Sequence, residues 1–570
     1  MTRVLANDLP PVTPLPSCPP TTSPASGRSW GGREERWLFL LVWLLVFADA
    51  AWRWPVPAAN EPHYLTMARH QWNPDWCRRD LFLQSTPAHS VFYRTVGLLT
   101  VGLTFEQSAW CGRLLALGLF AWGWVRFVRL LLPDRIAVFW AAMVYLILAS
   151  EGNFSGEWIV RGCEAKVFSY GLFLLALSWA LSRRWIPAGL CWGLSISFHP
   201  LVGIWSLVCY AGAELSFVLL GRRSIAPANI DPQVSSPQSR GVLWKGAGVL
   251  AGASLPGLLT SLPLFRGIDP QQQYQATFIQ VFYRLAHHLD PMTFPVTAYL
   301  FAAILIAVWL CGRRWGPATK ARVCFSRFVG MTIALAAIGV LIGWGPRPGG
   351  EMPGFTWRMS LLKFYPFRMF DGVMPIAAAL AVVQIWHATA RRWMAIRSHA
   401  DFNFSGASES PNTARRKSIS VVAVTIVCSA LWCASLIQSR QTPHPSRMSA
   451  EQFAAWNETC AWIKSETPGD ALFITPNQSW GFKWYAERAE FVNMKDCPQD
   501  PPHLVEWNRR LKLMARWGER NFSEGYSREE LQSLQQQTSA DYLLAQRLGP
   551  MTIEPVFQNK WYRLYALPRE

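Results

Sequence analysis

Four stretches of this chain gather side chains able to move protons or hold an anion, and each lies between long apolar runs. The first, residues 53–113, reads Ala59-Asn60-Glu61-Pro62-His63-Tyr64, then Asp75-Trp76-Cys77-Arg78-Arg79-Asp80, then His89. The second, 151–166, holds Glu151, Glu157, Arg161, Glu164 and Lys166. The third, 265–293, carries Arg284, His287, His288 and Asp290. The fourth, 345–370, contains Arg358 and the string Lys363-Phe364-Tyr365-Pro366-Phe367-Arg368, with Asp371 just beyond. A carboxylate set against aromatic and apolar surface gains proton affinity and can act as a base. Glu61 is the first candidate, with Asp80 (or Asp75) as a second carboxylate to orient it, bind a cation or contact hydroxyls. His63 could share the proton transfer, and Pro62 is expected to keep the backbone there extended. Arg358, Lys363 and Arg368 offer countercharge to a phosphate, Arg as a bidentate fork and Lys as a point charge. Glu157, Glu164, Lys166, His199 and His288 are expected to line the same hollow. Glu164 and Lys166 sit at the mouth of an apolar run, where ionisable groups usually face a cavity or a partner. Each residue also has a plain reading: acids as ordinary loop residues, cations as anchors to headgroup phosphates, His199 as turn packing. The adjacent pair His287-His288 lacks the i, i+4 spacing of a helical zinc pair.

The elements that must position these groups are helices of membrane-spanning length. Runs such as Trp37–Trp52, Leu114–Leu132, Val167–Leu181 and Ile419–Ile437 would not stay soluble, and roughly 17–25 apolar residues are what a helix needs to cross about 30 Å of hydrocarbon. About eleven such stretches fill residues 37–437, near 37–52, 114–132, 136–150, 167–182, 186–200, 202–220, 246–264, 294–311, 328–344, 371–387 and 418–437. Hydrophobic residues make up 51% of the chain and charged residues 16%, well under the roughly 25% charged of soluble domains. The formal charge of +18 could suggest nucleic acid. The basic residues, however, recur in short clusters between apolar runs, which is a topology signal and not a nucleic-acid footprint. The 31 Trp and 32 Phe suit interfacial anchoring and a bulky core.

Placing residues 1–36 in the cytoplasm puts 126–135, 183–185, 221–245, 312–327 and 388–417 there as well. These segments carry 24 Lys and Arg, against 14 in the four stretches above, which fall on the opposite face. The bias favours this orientation in a cell (inner) membrane. Residues 91–104 are apolar enough to suggest a further span, but Arg94 interrupts them at an insertion cost of about 2.5–3.5 kcal/mol. An interfacial or re-entrant helix is therefore expected. The first 30 or so residues, rich in Pro, Ser and Thr, are expected to be disordered. No cleavable signal is expected, and Trp37–Trp52 is read as a retained helix.

Eleven spans place 438–570 on the extracytoplasmic side. A helix over 449–465 leads through Thr467-Pro468-Gly469-Asp470 into a strand at Ala471–Thr475. A strand at Glu490–Asn493, a helix at Pro502–Trp517 and strands at Asp541–Ala545 and Trp561–Leu567 follow. That alternation predicts a small α/β domain, without a GxGxxG or GxxxxGK[ST] pattern to hold a nucleotide. The 12 Cys show no CxxC pair and read as buried small hydrophobes. Only Cys460 and Cys497 share the polar segment and could pair. The fold class is thus mainly α, a polytopic transmembrane bundle with a small extracytoplasmic α/β domain after it.

A long first outer loop with an acid just after the first span resembles the GT-C superfamily of membrane glycosyltransferases. In that superfamily an Asp or Glu of this loop is the usual catalytic or metal-binding acid, and Glu61 holds the matching position. The stretch Ala461-Trp462-Ile463-Lys464 through Ile474, followed by Trp484-Tyr485-Ala486-Glu487-Arg488, resembles the outer domain found after the last span in several members. The strings EPHYL, GCEAK, SFHPLVG, KFYPFR, FKWYAERAE and VEWNRR resemble an uncharacterised group of large bacterial membrane proteins of this architecture. The resemblance covers nearly the whole chain from residue 37, through short and loose motifs. It implies transfer of a sugar from a polyprenyl-phosphate donor to an extracytoplasmic acceptor. Many relatives have two acids together in the first loop, whereas Asn60 precedes Glu61 here, so dependence on a divalent cation, Mg²⁺ or Mn²⁺, stays open. A transporter of lipid or solute, or an inactive scaffold, is the alternative; against the former, no half-to-half repeat or mid-depth polar cluster is evident.

Overall fold

The computed structural model describes residues 32–132, 134–220, 237–315, 319–402, 411–439, 448–476, 481–518, 525–546 and 551–569. The amino-terminal segment expected to be disordered lies outside these, save its last residues. An α-helix runs through each of the eleven apolar stretches: Arg33–Arg53, Phe105–Val128, Arg135–Glu151, Ala165–Leu181, Trp185–Phe198, Pro200–Leu220, Pro237–Ser261, Val296–Arg313, Lys320–Gly343, Arg368–Phe402 and Pro411–Ser439. Seven helices of the described chain are long and apolar enough to cross a membrane, at Phe105–Val128, Pro200–Leu219, Gly241–Leu264, Val296–Arg313, Lys320–Gly343, Arg368–Ala390 and Val421–Ser439. Their outer faces carry exposed Leu215, Val218, Leu300, Ile304, Leu341, Ile426 and Ile437, an apolar belt that a water-soluble protein would not display.

Local sequence sets the helix ends. Thr104 and Gln107 form a reciprocal capping box at the start of Phe105–Val128, and Asp134 accepts from the backbone of Ile136 at the start of the next helix, satisfying amides that have no partner within the helix. The Ala165–Leu181 helix is buried on nearly all sides and packs against Phe105–Val128 and Trp185–Phe198. A Cβ at Gly123 would lie 2.7 Å from the Gly171 carbonyl, so both positions need glycine for the two backbones to approach this closely.

Residues 91–104 form short pieces, Ser90–Arg94, Val96–Leu98 and Leu99–Gly102, instead of one continuous helix. The expectation of extended backbone at Pro62 is corrected. Glu61–Trp72 is a helix with the proline in its first turn, where the missing N–H costs nothing.

Beyond the last apolar helix, a five-stranded sheet has the order β2-β1-β3-β5-β4, with β1 Leu472–Ile474, β2 Ala489–Glu490, β3 Tyr542–Ala545, β4 Phe557–Gln558 and β5 Arg563–Ala566. Strand β1 runs parallel to β2 and β3, and β5 is antiparallel to β3 and β4. Helices Ala450–Glu466 and Pro501–Gly518 lie where the sequence predicts them; Phe482–Ala486 and Arg528–Thr538 are additional. Cys460 and Cys497 are buried and free. This domain sits directly on the first long loop: Trp484 stacks on Phe105 at 5.2 Å between ring centroids, and Arg69 reaches Glu487 at 3.2 Å.

Candidate functional site

The loops expected on one face meet around a single cavity of about 450 Å³. The first long loop supplies Asn60, His63, Tyr64, Phe82 and His89, and the second supplies Glu157, Arg161, Glu164 and Lys166. Arg284, His287 and His288 come from the third; Lys363, Tyr365 and Arg368 from the fourth; His199 from the turn between two helices. The C-terminal domain adds Lys495. Six cations, Arg161, Lys166, Arg284, Lys363, Arg368 and Lys495, therefore face two carboxylates, Glu157 and Glu164.

The carboxylates are already paired. Lys166 Nζ lies 3.3 Å from Glu164 Oε2 and 3.9 Å from Glu157 Oε2. Arg368 Nη2 approaches Glu157 at 3.7 Å, and its Nη1 donates to His199 Nε2 at 2.8 Å. Asn60 Nδ2 donates to Glu164 at 3.0 Å, so the residue just before Glu61 orients an acid from the next loop. Asp371 holds this arrangement from below. Its carboxylate accepts from the amides of Phe154, Ser155 and Glu157 and from the Ser155 hydroxyl, at 2.6–3.2 Å, fixing the turn that presents Glu157. Arg161 is clamped between two indoles, 3.5 Å from the Trp54 centroid and 3.3 Å from that of Trp158. Among the described residues, Arg161, Arg284, Lys363 and Lys495 have no carboxylate within ion-pair distance.

The histidines are poor cations in this setting. Burial, reinforced by the positive field of Arg368, pushes His89 down to about 3. Burial and the neighbouring His287 do the same to His288, whose Nδ1 meets the Ser155 carbonyl. Burial lowers His63 as well, against the pull of Asp496. Lys495 falls to about 8 through burial and its neighbour Arg284, and burial lowers Lys363. At neutral pH the positive charge of the cavity rests on arginines and lysines.

Three residues singled out in the sequence stand outside the lining. Glu61 is fully buried and its carboxylate is used up: it accepts from Arg113 Nε and Nη2 at 2.7 Å each, from the Ala58 amide at 2.7 Å and from the Cys163 amide at 2.8 Å. Gly162 lies against it, and a Cβ there would come within 2.9 Å of the Glu61 carboxyl group. With every lone-pair direction taken, Glu61 is a structural anchor for the first and second loops and not a free base. Asp80 is also buried; it accepts from the Leu83 and Glu490 amides and pairs with Lys483 at 3.0 Å. Arg358 donates to the carbonyls of Ile342 and Trp344 at the end of the preceding helix, away from the cavity.

Sequence reasoning missed Asp496 and Lys495. They lie in an unremarkable polar run after β2, and no local pattern shows that this run docks on the first loop. Among the described residues no group of three or more His, Cys, Asp or Glu converges in a cage that could hold a metal ion. Residues 454–514 match a family described as a domain of unknown function, DUF6798. That match spans the sheet's first two strands and the segment carrying Lys483, Lys495 and Asp496. No curated protein matches the chain.

Proposed function

We propose that this protein is a membrane glycosyltransferase of the GT-C type, with eleven spans, its amino terminus in the cytoplasm and its C-terminal domain outside. It would move a sugar from a polyprenyl-phosphate donor to an extracytoplasmic acceptor. The observation that carries this reading is the excess of cations over carboxylates in one ligand-sized cavity. Pockets of roughly 300–1,000 Å³ suit small molecules, and gathering one buried cation, Arg161, and three half-buried ones, Arg284, Lys363 and Lys495, without acidic partners is costly unless an anion arrives to offset them. A phosphate group satisfies that demand, with Arg284 and Arg368 offering planar forks and Lys363 and Lys495 point charges. The cavity wall also carries Leu201, Leu264 and Phe265 near the apolar helices, with Phe265 half exposed, apolar surface on which a lipid tail can lie beside its headgroup. In the transfer, cations hold the phosphate as negative charge builds on its bridging oxygen, where electrostatic stabilisation acts most strongly.

Purified protein in lipid nanodiscs, given a radiolabelled polyprenyl-phosphate sugar, is expected to release free polyprenyl phosphate and pass the label to an acceptor. Arg368→Gln is expected to weaken donor binding roughly tenfold or more, the scale of one charge-assisted hydrogen bond. Passage of an intact donor across sealed vesicles with no cleavage of the sugar–phosphate bond would replace transfer by transport.

A further inference from the structure

One lysine of the C-terminal domain organises a buried ionic cluster whose far end enters the cavity. Lys483 Nζ lies 2.7 Å from Asp496, 2.9 Å from Glu490 and 3.0 Å from Asp80, with its side chain only 3% exposed. Three carboxylates thus enclose one ammonium. The side-chain Nδ2 of Asn493 donates to Glu490 and Asp496 at 2.6 and 3.1 Å, and its side-chain Oδ1 accepts from the Asp496 backbone amide at 2.8 Å. Asp496 is therefore fixed from several directions, and its remaining oxygen, Oδ1, meets His63 Nδ1 at 3.0 Å. Against the rise that burial alone would give, Lys483 and His63 hold Asp496 well below the usual carboxylate range.

From this cluster we infer that His63 is the proton acceptor of the transfer reaction and that Asp496, locked by Lys483, is its positioning residue, so that the C-terminal domain is part of the catalytic apparatus. The inference rests on the sugar-transfer reading of the cavity. A carboxylate that accepts from Nδ1–H leaves Nε2 as the basic nitrogen, and among the described residues His63 Nε2 has no partner. The ring is held against Phe82, 4.3 Å between centroids, and it lines the cavity. The cavity's carboxylates are less suited to the task, since Glu157 and Glu164 both face Lys166 and Glu157 also faces Arg368. In the step, the acceptor oxygen forms a bond to the anomeric carbon while the bond from that carbon to the phosphate oxygen breaks. The electron pair leaves on the phosphate, and the acceptor proton passes to Nε2. The resulting imidazolium faces Asp496, with Lys495 and Arg284 as the nearby cations and His89 as the neighbouring ring acted on by its charge.

The test follows the rate at which diethyl pyrocarbonate modifies His63 in the full-length protein in nanodiscs, read by mass spectrometry between pH 4.5 and 8. Only the neutral imidazole reacts, so the pH midpoint reports the affinity of His63 for its proton. Asp496 favours the charged ring, so removing its charge lets the neutral form persist to lower pH. In Asp496→Asn the midpoint is expected to fall by roughly 1 unit or more, about tenfold faster modification on the acidic side. An unchanged midpoint, or a His63 that never reacts in the wild type, overturns the inference. Should the variant fail to fold, ¹⁵N-histidine spectra of the wild type, assigned with His63→Gln, decide: protonated Nδ1 supports the pairing and protonated Nε2 refutes it. His63→Gln is further expected to cut sugar transfer at least 100-fold with donor affinity changed less than threefold, and persistent transfer refutes the assignment. Absence of transfer in the wild type, with the midpoint shift intact, sinks the sugar-transfer reading and leaves the His63–Asp496 pairing standing.

Discussion

Replacing Glu61 by Gln separates a structural anchor from a catalytic base. Glu61 and Arg113 both have side chains with no exposure, and two parallel N–H···O contacts of 2.7 Å join them. The carboxamide of the Glu61→Gln variant has a single oxygen, so it can accept from the amide of Ala58 or from that of Cys163, which now bond opposite oxygens, but not from both, and it cannot neutralise Arg113. It must also turn an NH₂ group toward one of the donors that now meet the carboxylate. Arg113 keeps its contacts to the carbonyls of Trp54 and Pro55, at 2.7 and 3.3 Å, and remains a buried cation without an anion. Removing one partner of such a pair costs about 3–5 kcal/mol, a large share of the roughly 5–15 kcal/mol typical of a folded domain. The variant is therefore expected to lose folded yield in detergent-solubilised membranes and to melt several degrees lower, measured by size-exclusion recovery after a temperature ramp. Adding Arg113→Met, which removes the stranded charge, is expected to recover part of the loss, since paired replacement of a buried ion pair is far milder than its disruption. Wild-type melting of Glu61→Gln together with lost transfer would refute this reasoning and restore Glu61 as the base.

Two further outcomes follow from the same geometry. Lys495, at about 8, is cationic below that pH and neutral above it. Affinity for a phosphate-bearing probe such as a fluorescent polyprenyl phosphate is therefore expected to fall as pH rises through 8, and Lys495→Gln is expected to abolish that step; a pH-independent affinity from 7 to 9 in the wild type contradicts the assignment. Gly162→Ala is expected to destabilise the protein by about 1–3 kcal/mol, because the added methyl must displace the Glu61 carboxyl group in a tightly packed site; an unchanged melting temperature would show that the second loop yields freely.

The helical architecture was legible because a run of apolar residues must either cross lipid or be buried, and helices occupy each run from Trp37 to Ile437. Their number as membrane crossings is a finer matter, since Arg135–Glu151, Ala165–Leu181 and Trp185–Phe198 have fewer than the 18 residues of the longer helices. The cavity was partly legible. His63, Glu157, Glu164, Lys166, His199, His288, Lys363 and Arg368 all line it, and what pointed to them was the clustering of ionisable groups at the mouths of apolar runs. Glu61 lies outside the lining because of a pairing that sequence does not display. An acid next to a proline looks the same whether its oxygens face a hollow or an arginine 52 positions further on. Asp80 is drawn away from the lining in the same way, its partner Lys483 lying in a domain some 400 residues later. Arg358 is close in sequence to Lys363 and Arg368, but it sits on a short helix, Phe355–Leu362, that turns it toward the preceding carbonyls.

The bond from the Glu490 amide to Asp80 joins residues 410 positions apart, and it has a consequence for how the protein is made. The first long loop emerges from the ribosome early and stays unfinished through the synthesis of every later apolar helix. Until translation reaches Lys483, the carboxylate of Asp80 waits without its ammonium, and the hollow above it lacks a wall. A nascent chain stopped after the last apolar helix would lack both Lys483 and Lys495, so the cavity is closed only once the C-terminal domain is complete.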